Sequence, residues 1–480
     1  MSKEPEYTMN DYRYGAPPRL FGSETEYTTN TDIQGSIINR PGSPNFSEFL
    51  DEKYIAALED EGREQIIHTT TGGKIYIDCK PIEYATPECT SPEELLLHEK
   101  AGEVLVEQIV ENLSEHYRTP ARLTKRSGYA RVRIGDELVM AEDSIGHHEN
   151  YSSISSISSS RRILSESWSP KLDMKMNKIT ELRGLADYLA LRKIIDGAGM
   201  VGQFGYELSQ KPTAINYRSF QSSLEHGNKK PFYADINQDR LEVRTGEGNK
   251  SDFVIKLKHG LTSLVLRLVE HRRWPEHLVL ADPSKAALRL SANPHATVKL
   301  ENGLDMKALD VLRGIVDEAA DLASEYDVPK YEIRALNDFY TLYDDLQKVS
   351  LRDDEVASVA DRLDWAARYQ HLLSHGGTYE TLHTRNLEFV KQDLLWDMCG
   401  EGDKARHHYR KFGHSALTRE IPKPPMTRAH IRTKLASSAF ATGDLHYMSW
   451  ENIYTNHGTA YTFYNPHDPH NYTERYRERP

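Results

Sequence analysis

Residues 74–117 constrain the fold more than any other part of this 480-residue chain. Lys74-Ile75-Tyr76-Ile77-Asp78 alternates polar and apolar residues, the period of a half-buried strand. Ile75 and Ile77 would face a core, while Lys74, Tyr76 and Asp78 share the other face. A proline-punctuated turn carrying Glu83 and Glu88 follows, and then Ser91-Pro92-Glu93-Glu94. That tetrapeptide supplies an N-cap hydroxyl, a proline at the first helical position and a glutamate at the third. Val106, Ile109, Val110 and Leu113 recur at i, i+3, i+4 and i+7, so the spacing predicts a helix over 92–117 with one apolar stripe packed on a sheet. Further strands are expected at Arg19–Tyr27, 129–134, 241–245 and 296–300. Helices are expected around Phe49–Leu58, 185–195 and 307–325, the last with Leu312, Ile315, Val316 and Ala319 on one face. Strand patterns in the first third give way to helices, which makes the class α+β.

The chain is long enough for one large domain and a small one. Residues 1–18, ending in Pro17-Pro18, read as a flexible tail, 19–400 as the large domain and 401–480 as a small C-terminal domain, with a break at Pro422, Pro424 and Pro425. Ser152–Ser160 reads as a mobile serine-rich loop. Hydrophobic residues at 38% and charged residues at 28% suit a soluble globular protein. No apolar run reaches the roughly 18 residues of a membrane span. The start of the chain lacks the apolar segment of a signal peptide, and Cys79, Cys89 and Cys399 form neither a disulfide framework nor a metal-ligand spacing. The cytoplasm is the expected compartment. A net charge of -12 argues against a general nucleic-acid binder. Within it, residues 401–434 hold nine Lys/Arg against three Asp/Glu, either a solvated face near a domain junction or a docking surface for an acidic partner.

Several clusters could carry chemistry. Glu24 and Glu26, two apart on the first strand, present carboxylates on one face, an arrangement that a hard cation such as Mg²⁺ would stabilise, though alone the pair reads more readily as a solvated strand face. Lys74, Tyr76, Asp78, Glu83 and Glu88 crowd the end of a second strand; a salt-bridged strand edge is the plainer alternative. His147-His148-Glu149-Asn150-Tyr151 forms a third cluster, for which a polar turn before the serine run is an equal reading. In a fourth, the strand from Arg240 to Arg244 feeds Gly246-Glu247-Gly248-Asn249, a turn whose amides could approach phosphate. Gly197-Ala198-Gly199-Met200-Val201-Gly202 matches a dinucleotide fingerprint, but it follows a helix and leads into none, so that reading is set aside.

In this order the segments resemble the Pup ligase (proteasome accessory factor A) and depupylase/deamidase family, relatives of glutamine synthetase and other carboxylate–amine ligases. The resemblance runs from Arg19 to Trp450. It rests on Gly22–Tyr27, Glu83–Glu88, Lys100–Glu103, His148–Tyr151, Gly197–Gly199, Leu363–Tyr369 and Pro424–Arg432. It implies a glutamine synthetase-like catalytic domain, an antiparallel sheet cradle packed by helices, followed by the small C-terminal domain. It implies ATP and Mg²⁺ as cofactors, with Glu24, Tyr76 and Glu83 at the metal and Asp78 as proton acceptor. Lys74, Thr86 and Trp450 would contact ATP, and Glu26, Glu88, His148 and Arg240 are further candidates. The implied reaction phosphorylates a glutamyl carboxylate of a small acidic Pup-like modifier and joins it to a lysine of a target protein.

The chain departs from the family pattern in places. Lys74 stands where arginine is usual, Asp78 and Glu83 are one residue closer than in typical ligases, and Tyr233, Glu242 and Glu247 replace familiar residues. Ala85-Thr86-Pro87 and the short segment 28–72 favour ligase over depupylase, while the Asp78–Glu83 spacing points the other way. A ligase for a small amine or peptide and a non-catalytic modifier-binding relative are the other readings.

Overall fold

The computed structural model describes residues 19–29, 45–61, 64–78, 81–126, 131–132, 138–139, 145–152, 180–202, 205–212, 215–217, 231–235, 240–383, 388–389, 392–393, 396 and 421–476. The expected tail 1–18 and the serine run beyond Ser152 lie outside them. Two compact units divide the chain. A sheet unit takes Leu20–Arg126, Arg131–Val139 and Asp397–Pro480, and a helical unit takes Met1–Arg19, Ser127–Ala130 and Met140–Trp396.

In the sheet unit, strands β1 (Phe21–Thr29), β2 (Ile55–Glu61), β3 (Glu64–Thr69), β4 (Lys74–Ile77) and β5 (Ile82–Ala85) pair antiparallel in the order β1-β5-β4-β3-β2. The helix α1 spans Pro92–Tyr117, and β6 (Leu123–Thr124) pairs with β1. The helix starts as its sequence dictates. Ser91 Oγ accepts the Glu94 amide at 3.2 Å, while the Glu94 carboxylate reaches back to the Thr90 amide at 2.7 Å and its hydroxyl at 2.9 Å. Leu105, Val106, Ile109, Val110 and Leu113 bury against Tyr27, Ile75, Ile82 and Tyr84, so α1 covers one face of the sheet. Gly102 permits the closest approach: a Cβ there would sit 2.0 Å from the Tyr84 ring. That contact accounts for the glycine in Lys100-Ala101-Gly102-Glu103.

The expected helix around Phe49–Leu58 is not formed. Two short 3₁₀ turns, Phe46–Phe49 and Glu52–Tyr54, lead directly into β2. The segment meets β3 along Ala57↔His68 and Leu58↔Ile67, and this pairing overrides its local helical pattern.

The C-terminal part of the sheet unit contains α2 (Arg428–Ala441) and a four-stranded meander, β7 (Leu445–Met448), β8 (Asn452–Thr455), β9 (Thr459–Phe463) and β10 (Tyr472–Tyr476). Ala436, Met448, Ile453 and Phe463 form a small core that closes on Ala57 of β2.

In the helical unit, strands His147–Ser152, Arg240–Val243 and Phe232–Asp235 pair side by side, among helices that include Thr180–Leu191, Asp252–Glu270, Ala308–Ser324 and Lys330–Leu346. Arg19 belongs to this unit rather than to the first strand, and its guanidinium forks onto Glu270 at 2.8 and 2.9 Å. The interior is charged. Arg192 bonds Glu149 through both terminal nitrogens, at 2.9 and 2.6 Å, and Asp196 at 2.8 Å. Lys193 reaches Glu247 at 3.2 Å, and Lys258 reaches Asn249 at 3.0 Å. These side chains have essentially no exposure, and mutual pairing is what makes their burial tolerable.

Candidate active site

Strand register assembles the site on the face of the sheet turned away from α1. Glu24 of β1 stands opposite Ala85 of β5, which stands opposite Lys74 of β4. Two residues along, Glu26 stands opposite Glu83, and Glu83 opposite Tyr76. Directly opposed residues share a face, so Glu24, Glu26, Lys74, Tyr76 and Glu83 all rise from one side. Asp78 follows β4 at the rim, its amide bonded to the Pro81 carbonyl at 3.1 Å, and is exposed. Carboxylate oxygens of Glu26, Asp78 and Glu83 all lie within 4.8 Å of one another. Among the described residues this is the one carboxylate, histidine or cysteine group so arranged.

The electrostatics are those of an anionic cluster in need of a cation. Burial, the nearby charge of Glu24 and then those of Glu26 and Asp78 push the Glu83 carboxyl up to about 8, although the Tyr76 hydroxyl donates to it at 2.6 Å. Burial, then the charges of Glu83 and Glu24 and that of Asp78, push the Tyr76 phenol far up, so it enters the cluster as a hydrogen-bond donor. An all-oxygen donor set with such mutual repulsion fits a hard divalent ion.

Lys74 lies next along the face. Its ammonium sits 4.7 Å from the centre of the Trp450 ring, and the Arg432 guanidinium also lies 4.7 Å from that ring. Trp450 is therefore brought to the sheet face although it is 376 positions away in sequence from Lys74. Thr86 is buried beside β1, with its amide donating to the Ser23 carbonyl and its hydroxyl accepting the Ser23 amide, both at 2.9 Å.

Glu88 has another partner set. Arg432 forks onto it at 2.9 and 3.0 Å, and Arg428 Nε reaches it at 2.6 Å. Burial alone would raise this carboxyl, but the two guanidinium groups hold it well below the usual carboxylate range. Two cations of the basic run 401–434 are thus turned onto the sheet rather than toward solvent; residues 401–420 lie outside the described set. Nothing in composition signalled this. The i, i+4 spacing of Arg428 and Arg432 on one helix face was the available hint.

His148 and Arg240 lie in the helical unit. His148 Nδ1 is 3.7 Å from Glu242, and Arg240 bonds Asn150 at 3.2 Å and approaches Glu242 at 3.5 Å. On the opposite face of the same strand Glu149 is fully buried with Arg192, so the His147–Tyr151 segment is anchored from inside. The Gly246–Asn249 turn holds protein rather than projecting its side chains outward. Glu247 accepts the Ala198 amide at 2.8 Å, and Asn249 donates to the Asp196 carbonyl at 2.9 Å. This also explains the discarded glycine fingerprint: Gly197–Gly199 is a turn clamped by Glu247, with Gly199 at φ +70°, leading into the strand Met200–Gly202.

A family model described as "Pup-ligase protein" matches residues 19–454, almost the whole chain. The chain belongs to the Pup-ligase family. Among its relatives is the Pup–protein ligase of Renibacterium salmoninarum, 26% identical over 462 residues, covering 91% of this chain and 92% of that one. The Pup deamidase/depupylase of Mycolicibacterium smegmatis is 27% identical over 317 residues, covering 63% of this chain and 57% of its own length. The fold is that of the Pup ligase PafA. Its structure in complex with the prokaryotic ubiquitin-like protein Pup superposes with a TM-score of 0.68 at 20% identity, covering 94% of this chain and 90% of that one. PafA in complex with ADP matches with a TM-score of 0.64 at 20% identity, over 84% and 87% of the two chains. Among the described residues, no helix of this family member is long and apolar enough to cross a membrane.

Proposed function

We propose that this chain is an ATP- and Mg²⁺-dependent ligase that activates a glutamyl side-chain carboxylate of a Pup-like modifier and joins it to a lysine of a target protein. The observation that carries this reading is the clustering of Glu26, Asp78 and Glu83 on the face that also bears Glu24, Tyr76 and Lys74, in a chain of the Pup-ligase family. Glu24, Glu26 and Glu83 would hold Mg²⁺, with the Tyr76 hydroxyl fixing the orientation of Glu83. When bound, the ion would neutralise the nucleotide's phosphates during phosphoryl transfer. Lys74 supplies a positive charge in the next row, and Trp450 an aromatic face beside it. Asp78, exposed at the rim, is the group an incoming lysine can reach. A lysine ammonium, with pKa near 10.4, must lose its proton before it attacks, and Asp78 is the acceptor. The domain plan that fits this reading is a large catalytic domain over 19–400 and a small domain over 401–480 that contributes Trp450. The cytoplasm is the proposed compartment.

The test counts ADP against product. Incubation with ATP, Mg²⁺, a Glu-ended modifier and a lysine-bearing protein should give one ADP per conjugate. Asp78→Asn should slow conjugation by roughly 10²–10⁴-fold, the usual contribution of a general base, while ADP binding survives. A depupylase matches this chain at 27% identity and a ligase at 26%, so the same mixture carries a second arm with a preformed conjugate. Modifier released there without matching ADP would replace the ligase reading with the hydrolytic one.

A further inference from the structure

Lys74 is backed by two buried polar side chains. His68 stands directly opposite it in the β3–β4 register. Glu59 lies two residues along β2 from Ala57, the residue opposite His68, so both side chains share the site face. His68 Nε2 is 3.1 Å from Glu59 Oε2, and both side chains are buried. Burial, together with the charges of Lys74 and Arg432, pushes the His68 pKa well down, so the ring is neutral and its N–H donates to Glu59. The imidazole therefore brings no charge to the carboxylate. Burial pushes the Glu59 carboxyl up, and the charge of Lys74 and then the Met448 amide oppose it. Glu59 Oε1 and His68 Nδ1 are buried acceptors with no hydrogen-bond partner among the described residues. Met448 lies two residues before Trp450, the ring over which the Lys74 ammonium sits. A lysine has a flexible stem and no planar fork, so what fixes it in a phosphate site must come from its surroundings.

We propose that Glu59, oriented by His68, is the positioning residue that holds the Lys74 ammonium against Trp450 and thereby sets the affinity of the site for a nucleotide. Glu59 itself need not touch the nucleotide. The inference rests on the reading of Lys74 as an ATP contact. It makes Glu59–His68–Lys74 the unit that does the work of the arginine expected at position 74.

The experiment measures ADP affinity by calorimetry in Mg²⁺ buffer on the full chain, with Glu59→Gln, Lys74→Met and the double variant, each checked for an unchanged melting profile. Each single variant should weaken binding about tenfold, and the double should be no weaker than Lys74→Met alone, because one interaction is being removed by two routes. If Glu59→Gln does not fold, Glu59→Asp takes its place; it keeps the charge but draws it back by one methylene. It should weaken binding about threefold in the wild-type background and not at all beside Lys74→Met. A Glu59 variant that binds ADP as tightly as wild type or tighter, or whose effect multiplies with that of Lys74→Met, overturns the positioning role and leaves Lys74 a nucleotide contact. Unchanged affinity in Lys74→Met overturns the reading of Lys74, and this inference with it.

Discussion

Replacing Arg432 with methionine removes a guanidinium whose bonds are all internal. It forks onto Glu88 at 2.9 and 3.0 Å and donates to the carbonyls of Trp450 at 3.0 Å and Gly72 at 3.3 Å. Methionine fills a similar volume, so the loss is chiefly polar. Breaking a buried ion pair from one side costs about 3–5 kcal/mol. Glu88 keeps Arg428 at 2.6 Å, which moves the expectation to the lower end. The two orphaned carbonyls add about 1 kcal/mol or more, giving a loss of about 4 kcal/mol. Glu88→Gln should cost about 3 kcal/mol, because it leaves two guanidinium groups facing an amide. In the double variant the costs overlap, with a coupling of about 2 kcal/mol. The assay is urea unfolding followed by tryptophan fluorescence, read as the shift in midpoint at constant slope. A loss below about 1 kcal/mol in Arg432→Met, or strictly additive effects in the double variant, would refute the claim that this fork clamps α2 and the Trp450 segment to the sheet.

Three further outcomes follow from single contacts. Gly102→Ala places a methyl 2.0 Å from the Tyr84 ring and should destabilise by about 3 kcal/mol; Tyr84→Leu in the same chain should recover part of the loss of melting temperature. His98 is buried and its pKa is lowered to about 4, against about 6.5 unfolded, so the unfolded chain binds more protons between those values. Its contribution is present above pH 6.5 and lost as pH falls toward 4, up to about 3 kcal/mol, and His98→Asn should flatten the melting temperature against pH across that window. Tyr76→Phe deletes the 2.6 Å bond to Glu83 and should raise the Mg²⁺ concentration for half-maximal conjugation several-fold; an unchanged requirement would rule out a role for that bond.

Local pattern was enough to specify some of this protein. The helix 92–117 is formed with the bounds its cap and apolar stripe predict, and 307–325 is recovered as Ala308–Ser324. The alternation in Lys74–Ile77 and the i, i+2 spacing of Glu24 and Glu26 determine which side chains share a face, because that follows from the backbone geometry of a strand alone. The tertiary structure decided the rest. Whether Ile55–Glu61 is strand or helix depended on β3 being there to pair with it. That Glu26, Asp78 and Glu83 converge, and that His68 stands opposite Lys74, depended on register between strands, which no single strand encodes. Glu88 gave no sign of meeting Arg432, 344 positions away, and Glu149 none of meeting Arg192. A buried charge must be paired, but its partner is whichever opposite charge the packed elements bring within reach, and that choice exists only once the chain has closed on itself.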